Sequence, residues 1–333
     1  MAETRFLPSE QLDAFLAALA ADGRRILGPT ARDGRAELNP VATAADLDLE
    51  GLQTVMSAKE TVFPKVERIL EYSLGAGKVD LRDAEPDARP TVLFGIRPCE
   101  ADGFGALDSV FNWDTRDRFF NARREALAVV AVACTKADDA CFCTSVGGGP
   151  GSTKGSDLLL TPVQGGYLAE LVTGRGAALA ALCPQAFRPD PGLEKKVAEL
   201  PAAFDHAALT AALGDRFEDP LWEAQALRCL GCGACAFVCP TCVCFDLVEE
   251  SDARGGRRLR TWDTCGTAQF TLHASGHNPR EAQAQRWRQR VFHKFSYYPE
   301  RYGRLGCVGC GKCTRACPVD MDLQEHLLEA ARA

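Results

Sequence analysis

Cys229-Leu-Gly-Cys232-Gly-Ala-Cys235-Ala-Phe-Val-Cys239-Pro240 sets out the spacing C-x2-C-x2-C-x3-C-P, and Cys307-Val-Gly-Cys310-Gly-Lys-Cys313-Thr-Arg-Ala-Cys317-Pro318 repeats it residue for residue. Three closely spaced thiolates on a tight turn reach three irons of one [4Fe-4S] cube, and in runs of this kind the fourth cysteine ligates the other cube. The spacing therefore assigns Cys229, Cys232, Cys235 and Cys317 to one cluster and Cys307, Cys310, Cys313 and Cys239 to a second. Gly231, Gly233, Gly309 and Gly311 let the backbone wrap close to the inorganic core, and the prolines close each run. Structural zinc is the alternative, but paired C-x2-C units would suffice for it and would leave the third and fourth cysteines of each run without a use.

The wider chain supports the same chemistry. Of 16 cysteines in 333 residues, five lie in the first 228 and eleven in the last 105, a clustering that speaks for metal ligation over disulfides. The longest uncharged stretch, 229–245, holds two glycines, a proline and six cysteines, so it is no membrane span. The first thirty residues carry charges throughout and lack an apolar run with a cleavage site, so a cytoplasmic protein with no membrane association is expected. The net charge of -7 is uneven: residues 253–304 carry eleven basic and three acidic side chains, a net of +8, leaving about -15 for the rest.

The pattern of elements predicts an α+β chain: a mixed α/β domain over 1–215, then an all-helical two-cluster domain over 216–333 with a basic helical insertion at 245–305. Leu12, Phe15, Leu16 and Leu19 recur at helical spacing behind Ser9, and Ser57 with Glu60 reads as a capping box before Val66, Ile69 and Leu70. Thr91–Ile96 and Ala126–Ala133 read as buried strands ending at Cys99 and Cys134. Residues 157–163 and 167–173 read as a hairpin around Gln164-Gly165-Gly166. The 67 residues between Cys239 and Cys307 look helical, with a capping box at Asn278-Pro279-Arg280-Glu281 before the stripe Ala284, Trp287, Val291 and Phe295; Asp322 and Glu325 repeat the device before Leu323, Leu327 and Leu328.

Cys99, Cys134, Cys141 and Cys143 are four thiols that could meet, and a third [4Fe-4S] cluster is their functional reading, against buried free thiols. Cys242, Cys244 and Cys265 form a looser set that could mix with Cys141 and Cys143 if the domains pack together, while Cys183 reads as a core thiol. Gly147–Lys154 fails as a phosphate loop because Thr153 stands where glycine is needed, and Gly174-Arg-Gly176 lacks its third small residue, so no flavin or nicotinamide site is expected on this chain. Arg286, Arg288, Arg290 and Lys294 near Trp287, Tyr297 and Tyr298 could suggest nucleic acid; anionic clusters favour internal charge compensation or the docking of an acidic partner by exposed arginines.

The chain resembles the beta subunit of soluble NAD(P)-linked nickel-iron hydrogenases of the sulfhydrogenase type, and the related A subunit of anaerobic sulfite reductase. The resemblance is carried by Phe94-Gly-Ile-Arg-Pro-Cys99, Cys141-Phe-Cys-Thr-Ser-Val-Gly147, Cys239-Pro-Thr-Cys-Val-Cys-Phe245, Trp262-Asp-Thr-Cys265 and Phe292-His-Lys-Phe-Ser-Tyr-Tyr-Pro-Glu-Arg-Tyr302. It implies a non-catalytic electron-transfer subunit between a flavin-containing NAD(P)H-oxidising subunit and a catalytic subunit. That catalytic subunit is a nickel-iron hydrogenase or, alternatively, a siroheme sulfite reductase. The eight cysteines of the two runs carry over one by one.

Overall fold

The computed structural model describes residues 3–75 and 77–332. Strand β1 (Glu3–Pro8) leads through a 3-10 turn into helix α1 (Leu12–Ala21), whose four expected apolar residues are all buried, and Gly23, at φ 76°, ends it. Strands β2 (Arg25–Arg32) and β3 (Arg35–Pro40) form a hairpin. Ser57 does cap, accepting from the Lys59 N–H, but only a 3-10 turn, Ala58–Thr61, follows. The helix expected through Val66, Ile69 and Leu70 is instead strand β4 (Val66–Gly75), paired with β5 (Lys78–Asp83). Pro64, just before it, cannot continue the turn into a helix.

Strand β6 (Thr91–Ile96), helices α2 (Pro98–Phe111) and α3 (Arg118–Ala126), strand β7 (Leu127–Val132), the hairpin β8 (Leu158–Val163) and β9 (Gly166–Leu171), helix α4 (Gly174–Ala181) and the short β10 (Arg188–Pro189) complete the first half. One eight-stranded sheet takes the order β10-β1-β9-β8-β7-β6-β2-β3, parallel across β2, β6, β7 and β8. Every residue of β6 and β7 is buried, as a parallel strand covered on both faces requires. On one face Phe15, Leu16 and Leu179 pack on Val92, Phe94 and Val130; on the other Phe104, Leu107 and Phe120 pack on Leu93 and Val129. The carboxyl ends of β6 and β7 lie side by side, so Cys99 and Cys134 emerge at one sheet edge, where such sheets place their sites.

The second half runs through helices α5 (His206–Leu213), α6 (Leu221–Ala226) and α7 (Ala234–Phe237), strands β11 (Phe245–Asp252) and β12 (Gly255–Trp262), and helices α8 (Gln283–Phe292), α9 (Tyr298–Tyr302), α10 (Lys312–Arg315) and α11 (Leu323–Ala331). The all-helical expectation fails here. Residues 245–262 are a hairpin in a second sheet of order β11-β12-β4-β5, so the sheet joins segments from both sides of the expected boundary at 215. The cause is cross-strand chemistry: Arg257 and Arg258 stand opposite Glu250 and Glu249 and bond to them. Arg260, buried, reaches both Glu67 and Asp117 of the first half. Trp262 packs with Phe63 in the first half's core, ring centroids 5.7 Å apart.

The helix expected from Asn278 starts only at Gln283, because Asn278 spends its side chain on Thr271, Ala268 and Arg280, and Gln285 accepts from the Ala282 N–H at 3.0 Å. Asp322 caps α11 as expected, accepting from Gln324 and Glu325. Trp222, Trp287, Phe295, Leu323 and Leu327 form a separate helical core.

Candidate iron–sulfur sites

Each run folds the same way. Gly231 and Gly233 in the first, and Gly309 and Gly311 in the second, all have φ between 61° and 76°, a region that side chains rarely adopt, and Gly233 and Gly311 start the short helices α7 and α10. The turns point the thiols inward. Cys229, Cys232 and Cys235 line a cavity together with Cys317 of the other run, closed by Trp287, Met321 and Leu323. Cys307, Cys310 and Cys313 line a second cavity with Cys239 of the first run. Cys313 faces both cavities, so the two share a wall. Donors already aim at the sulfurs: Gln283 at Cys229 (3.1 Å), the Met321 N–H at Cys317 (3.3 Å) and the Gly309 N–H at Cys307 (3.4 Å).

Three buried cations surround these thiols. The Lys294 ammonium donates to Cys239 Sγ (3.4 Å), Thr241 (2.9 Å) and the Gly306 carbonyl (2.7 Å). Arg290 reaches Cys242 Sγ (3.5 Å) and the Cys235 carbonyl (2.9 Å). Lys59, from the first half, donates to the carbonyls of Ala236 (3.2 Å) and Cys242 (2.9 Å) and lies 4.1 Å over the Trp262 ring. They are 3%, 5% and 3% exposed in the order Lys294, Arg290, Lys59, and among the described residues none has a carboxylate partner. An uncompensated buried charge is expensive, so the anions that stabilise these cations must be sulfur. Burial depresses the Lys294 ammonium, yet Cys239 and Cys242 more than offset it and hold its pKa up. Burial pushes the thiols of Cys235 and Cys307 up to about 11, so anything bound there must displace their protons.

The donor set fits an iron–sulfur cube better than zinc. Among the described residues no three His, Cys, Asp or Glu side chains converge closely enough for a single ion, whereas both runs surround a cavity with sulfur. Of the two expectations for the basic segment, internal charge compensation and docking by exposed arginines, Arg286, Arg288 and Arg290 fit the first. Arg290 is buried, Arg286 donates to the carbonyls of Gly266, Arg280 and Glu281, and Arg288 stacks 3.7 Å from the Phe217 ring and pairs with Glu218.

The four N-terminal thiols lie within electrostatic range of one another. Cys143 senses the charges of Cys134 and Cys141, Cys99 those of Cys134 and Cys143, and burial is the largest cause pushing Cys143 up to about 12. This group abuts the second run: the Phe142 N–H donates to the Gly309 carbonyl at 2.9 Å, and a methyl group on Gly309 or Gly311 would run into the backbone of Phe142 or Ala140. Cys310 senses Cys99 across the contact. Lys312, inside the second run, pairs with Glu100 at 3.2 Å, both 3% exposed, and Glu100 also accepts from Ser57 (3.1 Å) and the Ala58 N–H (2.8 Å). Arg315 holds Asp138 (2.6 Å) and Cys141 Sγ (3.1 Å).

The Cys242 N–H donates to the Cys239 carbonyl at 3.4 Å, and a thiol neighbour together with burial, Cys239 for Cys242 and Cys265 for Cys244, pushes both thiols up. Cys183 is a core thiol beside α1. Lys59, Glu100 and Lys312 were not singled out from sequence. Arg290 and Lys294 were, for internal charge compensation or docking, and their spacing from Trp287, Val291, Phe295 and Tyr298 sets them on the buried stripe.

Two sulfur-lined cavities on repeated runs define a ferredoxin-type module, and residues 228–321 match the family model for the 4Fe-4S dicluster domain. Across 95% of both sequences the chain is 27% identical to the sulfhydrogenase 2 subunit beta of Pyrococcus furiosus, so it is a homologue of that hydrogenase subunit along nearly its whole length. No solved structure matches it. Among the described residues no helix is long and apolar enough to cross a membrane.

Proposed function

We propose that the chain is the electron-relay subunit of a hydrogenase complex, relaying electrons between a flavin-containing NAD(P)H-oxidising subunit and a nickel-iron catalytic subunit. The observation that carries this reading is the row of sulfur sites: the N-terminal thiols touch the second run, and the second run shares Cys313 with the first. Cys229, Cys232, Cys235 and Cys317 would hold one cube, Cys307, Cys310, Cys313 and Cys239 the next, and Cys99, Cys134, Cys141 and Cys143 a third. A bound [4Fe-4S] cube supplies one-electron storage at a tunable potential. The chain's own part is to place the thiols, keep Lys294, Arg290 and Lys59 beside them as counter-charges, and exclude water with Trp287, Met321 and Leu323. Cys232 is exposed, which gives the row one end at the surface.

Purification of the native complex under anaerobic conditions tests this. Co-elution with a flavoprotein and a nickel-containing subunit, and about twelve irons in the chain from three cubes, is the expected result. A chain that elutes alone, with no nickel or flavin in any associated subunit, would overturn the assignment to such a complex; siroheme in the associated subunit would move it to the sulfite reductase branch.

A further inference from the structure

Strand β5 lies at the edge of the second sheet, with β4 on one side and, among the described residues, no strand on the other. All of its residues are exposed. Its pairing with β4 fixes which groups it offers. Leu70 stands opposite Asp83, and one step further the Ala84 N–H donates to the Ile69 carbonyl at 3.3 Å. Hydrogen-bonded and non-bonded pairs alternate along an antiparallel ladder, so Val79, Leu81 and Asp83 turn their backbone amides and carbonyls away from β4. The side chains divide as well. Val79 faces Leu74 and Leu81 faces Tyr72 on one side of the sheet, while Lys78, Asp80 and Arg82 share the other. Val79 is 61% exposed, Leu81 65% and Leu74 43%, an apolar row beside an open ladder, which is a template for another strand.

We propose that a second copy of this chain pairs antiparallel along β5, with the twofold axis at Leu81, so that the second sheets of the two copies become one. The charges choose both the occupant and the register. An axis at Leu81 pairs residues 79–83 with themselves: Leu81 meets Leu81, Val79 meets Asp83, and Asp80 meets Arg82 on both sides of the axis. Every outward-facing backbone pair then exchanges its N–H···O bonds. An axis at Asp80 would instead pair 78–82, setting Asp80 against Asp80 and Lys78 against Arg82, and like charges directly opposite are destabilising. In the single chain Arg82 and Asp80 pair with each other along the strand at 3.0 Å; across the axis the four charges of the two copies alternate in one network. On the opposite face the row Leu74, Val79 and Leu81 of each copy runs on into that of the other. The strand is its own complement in charge, in hydrogen bonds and in face, as a twofold interface requires.

The full-length, cluster-loaded protein is followed anaerobically by sedimentation velocity over a range of concentrations, and the expected result is a reversible dimer. Asp80→Arg alone and Arg82→Asp alone should each weaken it by about tenfold, because the opposite-charge pairs on both sides of the axis become like-charge pairs. The exchange of both, Asp80→Arg with Arg82→Asp, should restore it. Amide hydrogen exchange over residues 78–83 should slow as concentration rises, in the wild type and in the double exchange alike. A wild-type protein that stays monomeric at every concentration would overturn the pairing, as would a dimer indifferent to the single changes or not recovered by the double one. Protection of 78–83 that needs another subunit of the native complex, whatever the concentration of this chain, would assign the edge to that subunit and overturn it as well.

Discussion

On the proposed reading each site of the repeated runs and the N-terminal thiol group is built from four cysteines, but their surroundings are charged in different ways. Around the runs, Lys59, Arg290 and Lys294 are buried with no carboxylate. Around the N-terminal group two of the three nearby cations are neutralised, Lys312 by Glu100 at 3.2 Å and Arg315 by Asp138 at 2.6 Å, while buried Arg97 beside Cys134 gives its donors to carbonyls, so one unpaired cation stands there against three at the runs. Reduction adds negative charge to a cube, and unpaired cations in a low-dielectric interior stabilise that charge far more than paired ones do. On the relay reading the runs are therefore the easier sites to reduce, and electrons entering at the N-terminal group would run downhill through the second run to the first.

The largest effect that could break this comparison is removal of one region alone. Cys134→Ser combined with Cys143→Ser should lower iron by about a third, from three cubes to two, and leave the signals of the runs in place. An unchanged iron content would show that the N-terminal thiols hold no cluster.

Next come the two kinds of lysine. Lys312→Met should destabilise the protein by about 3–5 kcal/mol, because Glu100 is left buried and unpaired, and Glu100→Gln in the same chain should restore most of it in thermal unfolding. Lys294→Met has no carboxylate to correct. Its signature should be a lower midpoint potential for the cluster that includes Cys239, read by redox titration, and an equal potential in mutant and wild type would remove the charge contrast.

The smallest effect is in the pH dependence. In the cluster-free chain, folding raises the thiol pKa of Cys235 and Cys307 to about 11 and of Cys143 to about 12, from an ordinary 9.0. Between pH 9 and those values the unfolded chain has released protons that the folded one keeps, so stability present below pH 9 is lost as pH rises through this window. The melting temperature of the cluster-free protein should fall between pH 8.5 and 10.5. That of the loaded protein, whose thiolates are already committed to iron, should not fall for this reason; parallel curves would show that the thiols are not the cause.

The same contrast explains what could be read in advance. The runs were legible because their geometry is local: a few residues of spacing and four glycines determine which thiols share a cavity. Buried β6 and β7 were legible as continuous apolar runs that end on cysteines. The β11–β12 hairpin was not, because its pairing is written in charge. Glu249 and Glu250 face Arg258 and Arg257 across the ladder, and taken one strand at a time they look like solvated residues in a basic stretch. Nor does a linear pattern show that β12 finds β4 some 190 residues away, or that Lys59 reaches Cys242. The burial of Arg290 and Lys294 could have been read: cations spaced three and four residues along an apolar stripe are buried with it, and a buried cation needs an anion.

Exchange of ligands between the two runs is the point on which the cavity geometry bears most heavily, and one comparison tests it: Cys239→Ser against Cys317→Ser, each loaded anaerobically and followed by electron paramagnetic resonance of the reduced protein. Cys239→Ser should perturb the cluster anchored at Cys307, Cys310 and Cys313 and spare the one at Cys229, and Cys317→Ser should do the reverse. If each variant instead damaged the cluster of its own run, the shared wall at Cys313 would have no crossed ligands behind it, and the arrangement described here would be wrong.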